Sequence, residues 1–271
     1  MVTSQAKLAL LTKSGGTKTK EEKAMKTKFN LIISVLSLML LFACEKKHET
    51  DGLSSITNYP VFEMTGSDVV IISQGTPFTD PGIKASSAGV EIPVETSVTG
   101  AYTGSTGTTV NSDVADKYVI TYTAENSDGF ANTATRTVWV VTTGNLINSI
   151  EGLYTATVLR GGVSSPQYTD MAYILIWKTG DNTYSISDAI GGYYSIGRAY
   201  GDNYNAVGSV ITANNIGTND FSATTAVIPG FGNTVEVSGI NVDAGSKTIV
   251  FLGAGNFLNA NFDVTLTQVQ F

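Results

Sequence analysis

One cysteine and one histidine in 271 residues close off several kinds of chemistry at once. No disulfide can form within the chain, and no Cys/His cluster can hold zinc. A serine or cysteine nucleophile would have to use His48, which sits in a polar stretch without pattern. Charged residues are also scarce, at 14%, while 42% of residues are hydrophobic, a balance too apolar for a disordered chain. The 16 basic residues are outnumbered by 23 acidic ones, for a net charge of −7. That excludes the clustered positive charge a nucleic-acid partner demands. No Gly-x-Ser-x-Gly elbow and no glycine-rich phosphate loop opening a helix is present. Glycine is plentiful instead, at 28 residues, alongside many Ser, Thr and Asn. This is the composition of an all-β chain rich in turns, long enough for one or two domains.

The first 43 residues read as an address. Residues 1–24 are polar and Lys-rich, and are expected to be a start-site extension upstream of a true start at Met25. Over 25–43, Lys26 and Lys28 precede an apolar run from Phe29 to Phe42, too short for a comfortable transmembrane helix and patterned as a secretory signal. The run ends Leu41-Phe42-Ala43-Cys44, which resembles the bacterial lipobox. The resemblance implies that Cys44 is acylated and begins the mature protein. The leader removes seven lysines and two glutamates, leaving nine basic against 21 acidic residues. Such a body is repelled by anionic head groups, so attachment must rest on the lipid. Residues 44–57 then read as the lipidated cysteine and a flexible polar tether.

Short β patterns fill 58–143. Val69-Val70-Ile71-Ile72 is followed by Gly75 and Pro77, and Tyr118 to Ala124 partly alternates. Asn126-Ser127-Asp128-Gly129 makes a turn, and Ala131 to Val141 reads as a further strand. Three ordered motifs stand out: Phe78-Thr79-Asp80-Pro81-Gly82, then Tyr118 through Gly129, then Arg136-Thr137-Val138-Trp139-Val140. Together they resemble the immunoglobulin-like domain of Bacteroidota surface lipoproteins, of HYR-type repeats and of some pesticidal crystal proteins. Asn126 stands where that family usually has Asp, and Phe130 where it has Asn. The resemblance implies an Ig-like β-sandwich acting as a spacer. Asp80-Pro81-Gly82 reads as a turn, with a calcium corner as the alternative. Val138 and Val140 share one strand face and Trp139 takes the other. With the valines inward, Trp139 is expected at a contact with the next domain or a partner.

From 147 to 271 the sequence offers about eight strands, fitting an antiparallel barrel or sandwich. The strands expected here are Gly152–Val158, Ala172–Trp177, Thr183–Ser187, Val207–Thr212, Thr234–Ser238, Lys247–Leu252 and Asn261–Phe271. This half more loosely resembles the C-terminal β domains of uncharacterised Bacteroidota lipoproteins associated with SusC/SusD importers. Its most distinctive stretch is 188–205, which carries Tyr193, Tyr194, Arg198, Tyr200 and Tyr204 among glycines. Tyrosines give rigid amphipathic surface at low entropic cost and suit a sugar ring or a peptide. The alternative is that they fill the barrel while glycines permit its bends. Asp170 and Asp188 are available as a glycosidase pair, but nothing in the sequence joins them.

The sequence thus leads to a non-catalytic lipoprotein of the outer membrane with two β domains and no metal or cofactor. Its expected role is accessory capture of a glycan or oligopeptide for a SusC/SusD-like transporter. The rival reading is a structural or adhesion protein of the envelope with no small ligand.

Overall fold

The computed structural model describes residues 57–271 together with Met25, Thr27 and Lys28. Cys44, the apolar run and most of the tether lie outside the described residues. The described chain is almost entirely β.

The first half is a sandwich of two sheets. One holds β1 (Val61–Met64), β3 (Ile83–Ser87) and β4 (Val90–Ile92), in that order. The other is ordered β2 (Val69–Ser73), β8 (Ala131–Val141), β7 (Asp116–Glu125), β5 (Glu95–Gly100) and β6 (Thr106–Gly107). Its β2 and β8 run parallel while the other pairs are antiparallel. Strand β7 alternates strictly, burying Tyr118, Ile120, Tyr122 and Ala124 and leaving Lys117, Val119, Thr121 and Thr123 half-buried. This period of two is the mark of a strand with one face in a core. Val98, Val138 and Val140 complete that core. The expected turn forms at Asn126, whose Oδ1 accepts from the N–H groups of Asp128 and Phe130 at 3.0 and 2.9 Å. Residues 99–112 contain the end of β5 and the short β6.

At the end of β8 the alternation stops, because Val138, Trp139, Val140 and Val141 are all buried. The even positions face the sandwich core. The odd ones pack against the second half, joining Leu153 and Leu175 in a separate cluster with Ile71, Tyr102, Tyr173 and Trp177 at its margin. The two halves therefore share an apolar junction.

The second half is one antiparallel sheet of nine strands. In chain order these are β9 (Gly152–Arg160), β10 (Met171–Gly180), β11 (Thr183–Ile186), β12 (Val210–Asn215), β13 (Asp220–Ala223), β14 (Ala226–Ile228), β15 (Asn233–Asp243), β16 (Thr248–Gly255) and β17 (Asn261–Gln268). Their order across the sheet is β13-β12-β11-β10-β9-β17-β16-β15-β14. The first and last strands of that order are joined directly by Thr224 and Thr225, so the sheet curls. Across the opening, Val242 N–H donates to Asn219 Oδ1 at 2.7 Å. This is an open, curled sheet rather than a closed barrel or a pair of sheets. The inner face carries Tyr154, Ala156, Val158, Ile174, Ile176, Phe262, Val264 and Leu266, and the segment between β11 and β12 folds back to fill it.

Candidate ligand-binding site

The connection 187–209 is long for a compact β protein, and such connections carry function more often than short ones. It is tied at its base by Asp188, which is 1% exposed. Its Oδ1 accepts from the N–H groups of Ile190 and Ala206 at 2.9 and 3.1 Å. Its Oδ2 accepts from Ser195 Oγ at 3.0 Å. Burial outweighs these hydrogen bonds and pushes the carboxyl up to about 6. Gly191 lies against the inner face of the sheet with φ +64°, and a Cβ there would meet Val158 and Val264 at 2.8 Å. Only glycine can make that approach. The chain then forms a single π turn at Tyr193–Gly197.

The structure divides the tyrosine cluster in two. Tyr193 and Tyr194 point into the curled sheet at 3% and 6% exposure, packing on Phe262 with ring centroids 5.1 and 6.0 Å away. They are core residues, which corrects the expectation that they offer free faces to a ligand. The cause is the pair Gly191-Gly192, both at positive φ, which turns the chain inward just before them. Tyr200 remains outside at 48% exposure, and Tyr204 is half-buried. Phe231, absent from the sequence reading, joins them at 45% exposure. Its ring lies edge-on to Tyr204 at 4.8 Å and to Tyr194 at 5.0 Å. Tyr200 stacks on Tyr194 at 6.2 Å and meets Tyr204 edge-on at 5.2 Å. The result is an aromatic platform with a buried foundation. Phe231 was missed because it lies in the β14–β15 turn, distant in sequence from the tyrosines, where a lone Phe has no pattern.

Two arginines flank the buried rings. The exposed Arg198 donates from Nε to Tyr168 Oη at 3.3 Å and from Nη2 to Tyr193 Oη at 3.5 Å. The half-buried Arg160, on β9, lies over the rings of Tyr193, Tyr194 and Phe262 at 5.3 to 5.7 Å. Arg198 lies 5.5 Å from the same Tyr193 ring. Burial opposes ionisation of Tyr193, but hydrogen bonds from Tyr168, Arg160 and Arg198 outweigh it and hold the phenol below its ordinary range. Arg160 was also missed, because it reads only as the polar end of a strand.

The first half braces this region. Asp116 is fully buried and accepts from the N–H groups of Tyr102 and Thr103 at 2.9 and 3.0 Å. This holds Tyr102 against Trp177, with ring centroids 5.1 Å apart and 15° between the planes. Trp139 meets Tyr173 edge-on at 5.8 Å. Lys117 pairs with Asp202, beside Tyr200, at 2.9 Å.

The comparisons follow the same division. Residues 62–140 match the family of bacterial surface protein Ig-like domains. The three motifs that carried the resemblance all fall within this span. Residues 143–268 match a C-terminal-domain family. Neither is an enzyme family. The crystal structure of the lipoprotein BT2262 from Bacteroides thetaiotaomicron is similar, with 26% identity and a TM-score of 0.57, covering 78% of this chain and 100% of that one. No curated protein matches the chain.

Other sequence expectations resolve plainly. Asp80 is bound up within its own half: its Oδ1 accepts from Gly82 N–H and pairs with Arg136, while its Oδ2 accepts from Tyr122 Oη. The turn expected at Asp80-Pro81-Gly82 is formed by the Gly82 N–H to Asp80 Oδ1 bond. Asp188 serves the loop base through both carboxylate oxygens. Among the described residues no group of three or more His, Cys, Asp or Glu is placed to hold a metal ion.

Proposed function

We propose that this protein is a lipid-anchored outer-membrane surface protein that captures a nutrient on the Tyr200–Phe231 platform. In this reading it is an accessory subunit of a SusC/SusD-type importer, taking a glycan or oligopeptide, and its Ig-like half acts as a spacer. The observation that carries the reading is the platform itself. Two large aromatic side chains about half exposed, Tyr200 on the 187–209 loop and Phe231 on the β14–β15 turn, both resting on Tyr194 and Tyr204, form an apolar patch of the kind that marks an interaction site. Aromatic rings present such area with little entropy to lose on binding. The surface Ig-like family and the similarity to a Bacteroides lipoprotein support a place at the cell surface. The lipobox-like Leu41-Phe42-Ala43-Cys44 supports acylation at Cys44. Tethering confines the platform to the membrane plane and raises its effective concentration near a transporter.

Two measurements test this reading. Cys44→Ala is expected to release the protein from the membrane fraction, and membrane retention of that variant refutes the anchor. Affinity capture on solubilised outer membrane is expected to recover a SusC/SusD-like pair. Recovery of structural envelope proteins instead favours the scaffold reading, which the burial of Tyr193 and Tyr194 also supports.

A further inference from the structure

Among the described residues, Arg160 and Arg198 form no ion pair, although the acidic residues outnumber the basic ones across the chain. Lys117 and Arg136, by contrast, have carboxylate partners. Arg160 and Arg198 meet instead around Tyr193, each within 5.5 Å of its ring centroid. Two guanidinium groups gathered at one ring without a carboxylate leave local positive charge that an anionic group can complement. A guanidinium carries five N–H donors in a rigid fork. Arg160 donates from Nε to Asn259 O at 2.8 Å and also reaches the Tyr193 hydroxyl. Arg198 engages the hydroxyls of Tyr168, Tyr193 and Tyr200. Both retain donors beyond these contacts. Arg160 lines a surface groove of about 530 Å³ with Gly161, Val163, Asn259 and Asn261. Arg198 links the arginine pair to the platform through Tyr200.

We infer that the ligand is an acidic glycan, its uronate carboxylate or sulfate held by Arg160 and Arg198 while a neighbouring sugar ring lies on Tyr200 and Phe231. This rests on the proposed capture function and names the ligand class of that same surface. Arginine is suited to the task because its fork matches a carboxylate or sulfate with two parallel hydrogen bonds. A peptide fits less well. Peptides are commonly held by main-chain ladders, and here the loop amides are already used. The N–H groups of Tyr200, Gly201, Tyr204, Gly230 and Phe231 donate to Tyr194, Ser195, Gly201, Asn203 and Ile228.

The test uses the lipidated protein in detergent, with tetragalacturonate, a chondroitin sulfate tetrasaccharide, maltotetraose and tetraglutamate as probes, read by calorimetry. At least one acidic tetrasaccharide is expected to bind about tenfold or more tightly than maltotetraose, with affinity falling as salt rises. The choice between tetragalacturonate and the sulfated probe distinguishes carboxylate from sulfate. Arg198→Gln is expected to remove that preference, and Arg198→Lys to restore it only in part because the fork is lost. Arg160 packs on the core rings, so salt dependence of the unaltered protein stands in where Arg160→Gln does not fold. Equal binding of acidic and neutral sugars, unaffected by Arg198→Gln but lost in Tyr200→Ala, overturns the anionic inference and leaves the capture reading standing. Preference for tetraglutamate overturns the glycan assignment. Failure of every probe overturns the inference, and a SusC/SusD-like pair recovered in the capture experiment would then leave the importer role intact.

Discussion

Asp80 Oδ1 lies 3.2 Å from Arg136 Nε, joining the first and last of the three motifs in the Ig-like half. The middle motif enters through Tyr122, whose hydroxyl donates to Asp80 Oδ2 at 2.8 Å and accepts from Arg136 Nε at 3.1 Å. Arg136 is wholly buried and also donates to the carbonyls of Thr65, Gly82 and Ser67. Residues spread over 71 positions thus meet at one polar knot, which closes the two sheets against each other at that end.

Cutting this knot is costly. Arg136→Met leaves three carbonyls and a carboxylate without their donor, and is expected to cost about 3–5 kcal/mol. Asp80→Asn keeps an acceptor for Gly82 but loses the ion pair, for about 1–3 kcal/mol. Urea unfolding checks both. A rise in melting temperature on adding calcium, abolished by Asp80→Asn, would instead return Asp80 to the role of a calcium ligand.

The junction predicts coupled unfolding. Trp139 at 5%, Val141 at 1% and Leu153 and Leu175 at 0% exposure would all be uncovered if the halves separated. Calorimetry is expected to show one transition for the intact protein. Trp139→Ala should cost about 3–5 kcal/mol and split the transition in two. An isolated 58–143 fragment as stable as the intact protein would show that the junction contributes nothing.

The tyrosines are expected to separate by role. Tyr193→Ala removes a buried ring and should lower stability by about 3–5 kcal/mol. Tyr200→Ala and Phe231→Ala should change stability by about 1 kcal/mol or less, yet weaken ligand binding by about 2 kcal/mol. Thermal melts and calorimetric titration of all three variants decide the matter, and a large stability loss in Tyr200→Ala would make the platform structural.

Asp188 gives the fold a dependence on pH. Its native carboxyl sits at about 6, above the unfolded value of about 4. The native state therefore takes up the proton first. The contribution is fully present below about pH 4 and is lost as pH rises through about 6, for a change of about 3 kcal/mol. Asp188→Asn preserves an acceptor for Ile190 and Ala206 and a partner for Ser195 without titrating. The stability difference between the two proteins should widen across that window, with Asp188→Asn the more stable at neutral pH. Parallel profiles would contradict this account of the loop base.

Strands with one buried face were legible because period two is written into them, as in Tyr118-Ile120-Tyr122 and Phe262-Val264-Leu266. The short strands β1, β3, β4, β13 and β14 were not read, because three to five residues hold too little period to stand apart from loop. The expected strand at Val207–Thr212 begins later, at Val210. Gly208 at φ +86° breaks the strand there, and Val207 instead bridges Val227 of β14. The aromatic content of the 188–205 loop was visible as composition, but which rings lie outward was not. That depends on the inward turn at Gly191-Gly192 and on a partner, Phe231, contributed by another hairpin.

The sequence by itself determined the all-β class, the excluded chemistries, the three motifs and the inward side of Val138 and Val140. Those follow from residue type and local period, which each segment carries alone. Tertiary structure alone decided that Asp80, Tyr122 and Arg136 meet and that the nine strands form one open curled sheet. It also placed Trp139 at a junction and brought Arg160 and Arg198 to the same Tyr193 ring. Each of these unites residues tens of positions apart, and the energies that select them arise only when distant segments exclude water together.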